Sequence, residues 1–480
     1  MTSQQRVRVV VIGGGMAAAR LAQRLRPAGA GGGPALTVLG EEPHAPYNRV
    51  LLAEVLAGRY AAEVIALPAP HDGVRWLGGV RAVRIDRAAR TVLCDDGQAV
   101  PYDRLVLATG SNPVLPPLRG LFPPGHDDLP DGVHPFRTLD DCTALAAAAA
   151  RPGVRAVVIG GGLLGVSAAR ALAERGVSVL LAQQGEHLME RQLDAGAAAL
   201  LRAHIEALGV EVHTECRVRG LRVEDGAVRG VELADGYVPD ADVVVLACGV
   251  RPRTGLARAA GLPVGGGILV DDELRTADPR IHAIGDCAQH DGVVYGLAGA
   301  ALEQADLLAR VLSEEAARYR GTRALTRLTL TGPSPGPNSS AHPGPNRGPN
   351  SGAHPGASPG PNSGASPAPG SGASPGPDSG ANPAPGSGPN PGAHDTPLDL
   401  AAFGTPSPRP GDDVIHLSDA TRSAYRKVIV RGDRLVGGIL LGDLGAVGTL
   451  ARTWEADDPL PDAPLLHLLT TDRPTPDGGS

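Results

Sequence analysis

Two sets of small residues recur with the spacing needed to hold a pyrophosphate. Gly13, Gly15 and Ala18 form a GxGxxA set, and Gly160, Gly162 and Gly165 form GxGxxG. The first glycine of such a set permits a tight turn, and the second leaves the backbone open to a diphosphate. The third small residue lets helix and strand pack closely. Free N–H groups at the start of the following helix then face the anion. Glu41 is placed to accept hydrogen bonds from a ribose. Gln183 occupies the equivalent place in the second set, where a neutral amide leans the reading to NADH over NADPH. Arg49, in the loop Pro43–Arg49, is a candidate partner for a cofactor phosphate. Ala108-Thr109-Gly110 is a small-residue strand end that lets backbone approach a ligand. Asp286 suits either a helix N-cap or a ribityl hydroxyl.

The elements around these residues have the right order. Val7 to Ile12 is a short apolar run, Met16 to Arg26 has helical spacing, and Leu36 to Leu39 is a second run closed by Glu41. The Gly/Pro loop Pro27 to Pro34 lengthens the distance to the acid. Ala156 to Ile159 is the strand before the second set, Leu163 to Arg175 the helix, Gly176 its stop and Val177 to Leu181 the next strand. Two complete strand–turn–helix–strand units in one chain are far more specific than one glycine turn, and they point to two dinucleotide sites.

The chain has 480 residues, enough for about three domains. Aromatic residues make up only 2%, so the cores must be built from Val, Leu, Ile and Ala. A net charge of −7 with mixed signs leaves no basic footprint for nucleic acid. Lys427 is the only lysine, a coding bias. The N-terminus lacks the apolar core of a signal peptide, and no apolar run is long enough to span a membrane. Cys94, Cys142, Cys216, Cys248 and Cys287 are scattered and fit neither a disulfide framework nor a metal site. These features predict a reduced cytoplasmic protein with no metal and no membrane contact.

Further along, Val74 to Leu93 reads as strands, as do Tyr102 to Gly110 and Val243 to Ala247, the last followed by Cys248 and Gly249. Ile268 to Ile284 holds short strands that lead to Gly285-Asp286, and Ala298 to Leu312 is a helix. From Thr331 to Pro397 runs a Pro, Gly, Asn, Ser and Ala tract without the apolar residues that would offset chain ordering, which predicts disorder. Closing so long a loop costs a folded domain only about 2–3 kcal/mol more than a short turn. Structure resumes at Asp399 to Gly404. Val414 to Leu417, Tyr425 to Val430 and Leu435 to Leu441 then read as antiparallel strands, with Arg431 to Arg434 as a hairpin turn.

In the order GxGxxA, ATG, GxGxxG, GD, the sequence resembles the flavoprotein reductases with two dinucleotide-binding domains. Within them it is similar to the flavoprotein portion of the assimilatory NAD(P)H-nitrite reductase large subunit. The runs that carry this likeness are Tyr47 to Val50, Gly160 to Gly165, Met189 to Asp194, Gly249 to Arg253, Ala283 to Ala288, and Tyr425 to Lys427 with Gly437 to Asp443.

The resemblance implies an α/β chain with two Rossmann-like domains. The first, discontinuous, is an FAD-binding domain over 1–120 and 251–320, and an NAD(P)H-binding domain over 121–250 is inserted into it. A small C-terminal α+β interface domain covers 321–331 and 398–455, interrupted by the insert 332–397, and 456–480 is a tail. It assigns Gly13, Gly15, Ala18, Glu41, Arg49, Ala82, Ala108, Thr109, Gly110, Gly285 and Asp286 to FAD. Gly160, Gly162, Leu163, Gly165, Gln183 and Gly249 go to NAD(P)H. Hydride would then pass from the nicotinamide to the flavin with no general acid or base, so no catalytic side chain is named. With no CxxxxC beside the first turn, a disulfide relay is not expected. Electrons would leave to a separate acceptor protein: a nitrite or nitrate reductase subunit, a ferredoxin or a rubredoxin. An oligomer is compatible with this reading.

Three departures bear on the resemblance. Glu54 stands where many ferredoxin and rubredoxin reductases of this kind carry a lysine. Ser167 stands where a glutamate is common. The cysteine clusters of iron–sulfur and sirohaem modules are missing, so the chain is not expected to reduce nitrite alone. The alternatives are a general ferredoxin or rubredoxin reductase, and a regulatory module that binds FAD and NAD without turnover.

Overall fold

The computed structural model describes residues 6–25, 33–69, 71–122, 125, 128–323, 325–330, 398–461 and 464–469. The insert expected to be disordered, most of the Pro27 to Pro34 loop and the end of the expected tail lie outside the described residues.

Two five-stranded parallel sheets organise the chain. The first runs in the order Ile281–Ala283, Arg104–Leu107, Arg8–Ile12, Ala35–Gly40, Val74–Gly78. The second runs Val210–His213, Ser178–Ala182, Arg155–Ile159, Val243–Leu246, Val133–Pro135. Their central strands are nearly unbroken Val, Ile and Leu because both faces are covered. The strand Ile281–Ala283 joins the first sheet from far along the chain, so the second sheet is inserted between parts of the first. The antiparallel pair Ser111–Pro113 with Val250–Pro252 is where the chain leaves the first unit and returns to it.

Helix Met16–Arg24 follows the first glycine turn and buries Ala17, Ala18, Ala19, Leu21 and Ala22. It stops two residues before the expected Arg26, with Leu25 as its C-cap. Small residues on this face let helix Ala298–Leu312 lie alongside it. Arg20 and Arg24 fix that neighbour through Asp306, at 2.6 and 2.8 Å. Helix Leu163–Glu174 follows the second turn and is buried over most of its length. The strands expected over 102–110 and 243–247 shorten to Arg104–Leu107 and Val243–Leu246, which frees their ends as turns.

One expectation is corrected here. Gly285–Cys287 is a single 3-10 turn followed by the strand Ala288–His290, and the next helix begins only at Ala298. Asp286 therefore caps no helix. Its turn is held from behind, where the Gly285 N–H donates to Gln304 Oε1 at 2.7 Å.

The C-terminal sheet is antiparallel, in the order Leu325–Leu330, Leu398–Gly404, Arg434–Leu441, Ala424–Arg431, Asp413–Asp419. The expected hairpin at Arg431 to Arg434 is present, with those two residues paired across it. Helix Val447–Ala456 covers one face, and Leu469 is fully buried. Lys427 and Tyr425 tie this sheet to helix Ala195–Ala207, both reaching Asp194 Oδ2 at 2.7 Å. Asp194 also caps that helix through the Ala197 N–H, and these donors hold its carboxyl below the usual range against the effect of burial. No helix among the described residues is long and apolar enough to cross a membrane.

A buried ionic quartet links helix Leu52–Leu56 of the first unit to helix Leu163–Glu174 of the second. Arg170, 0% exposed, reaches Glu54 and Glu174. Arg59 closes the ring, at 2.9 Å to Glu54 and 2.7 Å to Glu174. Burial pushes the Glu174 carboxyl up, and the two guanidinium groups pull it back. Removing one cation leaves a buried carboxylate uncompensated, a loss of about 3–5 kcal/mol. Arg170→Ala should therefore lower the thermal midpoint by many degrees. Arg202→Ala, which breaks only the exposed pair to Glu206, should cost about 0.5 kcal/mol or less. Equal melting curves for the two variants would contradict the role given to the quartet.

His282, in the strand Ile281–Ala283, is 2% exposed, and burial pushes its pKa down to about 4. An unfolded histidine titrates near 6.5, so the unfolded state takes up this proton first as the pH falls. His282 therefore leaves stability unaffected above about pH 6.5 and lowers it as the pH falls from there to about 4. His282→Gln should flatten this limb in melting curves recorded against pH. An unchanged acid limb would show that His282 does not set it.

Candidate functional site

Both glycine turns open onto one cleft of about 2150 Å³. At the first turn Gly13 has φ +112°, and a Cβ built there would fall on the carbonyl oxygen of Ala108 and 2.6 Å from its carbon. At the second, Gly160 has φ +110° and its Cβ would fall 2.5 Å from Ala247 O. Only glycine lets the turn press this closely against the neighbouring strand end. Gly15 and Gly162 differ in kind: a Cβ at either meets nothing within 4 Å. Each looks into open space at the N-cap of its helix.

The remaining sequence-predicted residues divide in two. Glu41, Arg49, Ala82, Ala108, Thr109, Gly110, Gly285 and Asp286 line the cleft on the side of the first turn, and Leu163, Gln183 and Gly249 line it on the side of the second. Ala18 and Gly165 do not line it. Ala18 is 0% exposed in the core behind the first turn, and a Cβ on Gly165 would collide with Gly160 O. Both do the packing work expected of a third small residue.

Three carboxylates of the cleft, Glu41, Glu42 and Asp286, are held by arginine, while Asp140 pairs with His44 at 2.7 Å. Glu41 pairs with Arg253 at 2.6 Å, and Glu42 pairs with Arg49. Arg49 also donates to Arg137 O at 3.0 Å, and Tyr47 donates to Glu42 Oε2 at 2.6 Å. Burial raises the Tyr47 hydroxyl pKa above its ordinary value, so Tyr47 stays a neutral donor. Thr109 Oγ1 donates to Arg253 O at 2.7 Å and fixes the backbone of the Glu41 partner just beyond the strand Val250–Pro252. Asp286 accepts from Arg137 Nη2 at 2.5 Å and from Ser111 Oγ at 2.8 Å.

Sequence reasoning missed Arg137. It stands just before the Thr138 capping box of helix Leu139–Ala149, far from either glycine turn in sequence. Its Nε is buried and has no hydrogen-bond partner among the described residues. The local signal was the capping sequence Thr138-Leu139-Asp140-Asp141 right after it, which fixes where the arginine backbone must sit.

All five cysteines are free. Burial pushes the Cys142 and Cys248 thiols up to about 11, far from the thiolate a disulfide relay would use. Among the described residues no cluster of His, Cys, Asp and Glu is arranged to hold a metal.

For FAD the residues fit: an open cradle at Gly15, an acid after the second strand, an orphaned Arg137 Nε and Asp286 at the Gly285 turn face the same cleft. Gly162 and the start of helix Leu163–Glu174 offer a second cradle of the same design. Two parallel sheets with these paired turns define an oxidoreductase fold that takes two dinucleotides.

Comparison with known proteins agrees. Residues 7–305 match the family model for pyridine nucleotide-disulphide oxidoreductase, and residues 396–455 match the rubredoxin NAD+ reductase C-terminal domain. The chain belongs to the pyridine nucleotide-disulphide oxidoreductase family, whose members bind FAD and a pyridine nucleotide. It is 33% identical to a nitrite reductase [NAD(P)H] large subunit of Klebsiella oxytoca, over 92% of this chain and 39% of that protein. It is 35% identical to an assimilatory nitrate reductase electron transfer subunit of Bacillus subtilis, over 62% of this chain and 38% of that one. The chain thus spans about two fifths of the length of these relatives. Its fold matches putidaredoxin reductase in a covalent complex with putidaredoxin, with a TM-score of 0.72 at 23% identity, over 96% of this chain and 98% of that one.

The two kinds of glycine make separable predictions. Gly15→Val should fold with an unchanged apo melting curve and fail to retain flavin, because its side chain fills only open cleft. Gly13→Ala should fold poorly, because its methyl group meets the Ala108 carbonyl. Full flavin occupancy in a folded Gly15→Val protein would remove the first turn from the site.

Proposed function

We propose that this chain is an FAD-dependent NAD(P)H oxidoreductase that passes electrons to a separate protein acceptor. The observation that carries this reading is the opening of both glycine turns onto one cleft. Residues 1–120 and 251–320 hold FAD and 121–250 hold the pyridine nucleotide, while 321–331 and 398–455 form an interface domain. The backbone at Gly13 and Gly15 takes one pyrophosphate, and that at Gly160 and Gly162 takes the other. Glu41 serves the adenosine ribose once it exchanges its Arg253 partner. Arg137 and Asp286 hold polar groups near the Gly285 turn. When bound, FAD accepts a hydride and gives up single electrons. The chain binds, orients and shields, and no side chain need move a proton.

The acceptor we assign is a component of nitrite or nitrate reduction. The support is similarity over 92% of this chain to the nitrite reductase large subunit and over 62% to the nitrate reductase electron transfer subunit. A second reading, a reductase for a rubredoxin or ferredoxin, is favoured by the C-terminal match at residues 396–455. We take NADH as the donor for the tests that follow and place the protein in the cytoplasm.

The FAD-loaded chain should reduce ferricyanide with NADH and leave nitrite untouched until a metal-bearing partner is added. Its cysteines are dispersed and free, without the spacing of an iron–sulfur site. Gly162→Val should retain FAD and lose NADH-driven reduction by at least about tenfold, because a branched side chain fills the second cradle. Nitrite consumption by the isolated chain would refute the division of labour. Undiminished NADH oxidation by Gly162→Val would refute the second site.

A further inference from the structure

Gln183 stands where an acid would read the ribose of a nucleotide bound at the second turn, but its amide is committed elsewhere. The Gly161 N–H donates to Gln183 Oε1 at 2.8 Å, and Gln183 Nε2 donates to His187 O at 3.4 Å. A Cβ on Gly161 would come 2.7 Å from Leu188 and 2.9 Å from Gln183 Cβ, so the side chain packs directly under the turn. The Met189 N–H donates to Gly161 O at 2.9 Å and closes the loop over it. Gln183 is therefore a brace for the turn.

A carboxylate at this strand end would accept from a ribose 2′-hydroxyl and repel a 2′-phosphate. A committed neutral amide does neither. Arg49, Arg81, Arg137 and Arg253, all lining the cleft, pair with Glu42, Asp95, Asp286 and Glu41. Arg191 and Arg327 also line it, and their side chains have no ion-pair or hydrogen-bond partner among the described residues. Arg327 belongs to the strand Leu325–Leu330 of the C-terminal sheet. Arg191 is exposed two residues beyond Met189, on the loop bonded to the second turn. The neighbouring Glu190 folds back on its own loop, where its Oε1 accepts from the Glu186 N–H at 2.7 Å.

We propose that Arg191 recognises the 2′-phosphate of NADPH, so that the chain binds NADPH as well as NADH. Gln183 positions the turn and reads no ribose. This rests on the reading of the second turn as the pyridine-nucleotide site. A guanidinium suits the task because its donors pair with a phosphate in a fixed fork.

The test is calorimetric titration of the FAD-loaded protein with NAD+ and NADP+, which bind without turnover. The wild type should bind both, with dissociation constants within about tenfold of each other. Arg191→Ala should weaken NADP+ by about tenfold or more and change NAD+ by less than about threefold, with Arg191→Lys in between. Gln183→Glu keeps an acceptor for the Gly161 N–H and adds a charge. It should hold NAD+ within about threefold and weaken NADP+ by about tenfold or more. Wild-type protein that binds NAD+ but not NADP+, or Arg191→Ala losing both equally, would overturn the proposal. Failure of folded, flavin-loaded wild type to bind either nucleotide would overturn the second-site reading itself, and this inference with it.

Discussion

In each half of this molecule a carbonyl oxygen lies too close to a glycine to admit a Cβ. Ala108 O excludes it at Gly13 and Ala247 O at Gly160, at φ values of +112° and +110°. That close approach brings a turn, a helix start and a neighbouring strand end into one small volume. Parallel pairing then sets the third strand beside the first, Ile12 opposite Leu107 and Ile159 opposite Leu246. Ala18 and Gly165 allow the helix to settle against the sheet behind the turn. Gly15 and Gly162 leave space in front of it. The two cradles are thus consequences of one steric rule applied twice.

Charge is arranged around this frame in two ways. In the cleft, Glu41, Glu42 and Asp286 are each paired to an arginine, at partly exposed positions where a ligand group can compete for the partner. Behind the cleft, Glu54, Arg59, Arg170 and Glu174 form a closed ring in which Arg170 and Glu174 are buried and Glu54 and Arg59 are partly exposed. The exposed pair of Glu41 with Arg253 exchanges partners at little cost, and the buried pair of Arg170 with Glu174 resists exchange. Helices Leu52–Leu56 and Leu163–Glu174 are therefore fixed to each other while the cleft residues stay available. Glu54 and Ser167, which stood out in the sequence as departures, lie on these same two helices. Glu54 serves the ring, and Ser167 Oγ donates to its own helix at Leu163 O.

The sequence exposed what depends on neighbours along the chain. Both glycine sets, their flanking strands, helix Ala298–Leu312 and the hairpin at Arg431 to Arg434 were legible, because turn chemistry and apolar period are local. What depends on distant partners was hidden. Arg137 meets Asp286 across 149 residues, and nothing near either one announces the other. Asp286 read equally well as a helix cap, since the strand Ala288–His290 that intervenes is only three residues long. Leu325–Leu330 was not recognised as a strand because its partner Leu398–Gly404 lies beyond the Pro/Gly tract. Gln183 was visible as a neutral residue at a strand end, but its engagement with Gly161 depends on how the turn folds over it.

The central claim is that one chain carries both the donor and the flavin site in electronic contact. Anaerobic titration of the flavin-loaded protein with NADH, followed by visible absorption and with no second protein present, tests it most directly. The account predicts complete bleaching of the oxidised flavin at one NADH per flavin. A flavin that stays yellow with excess NADH, or that bleaches only when another protein is added, would contradict it.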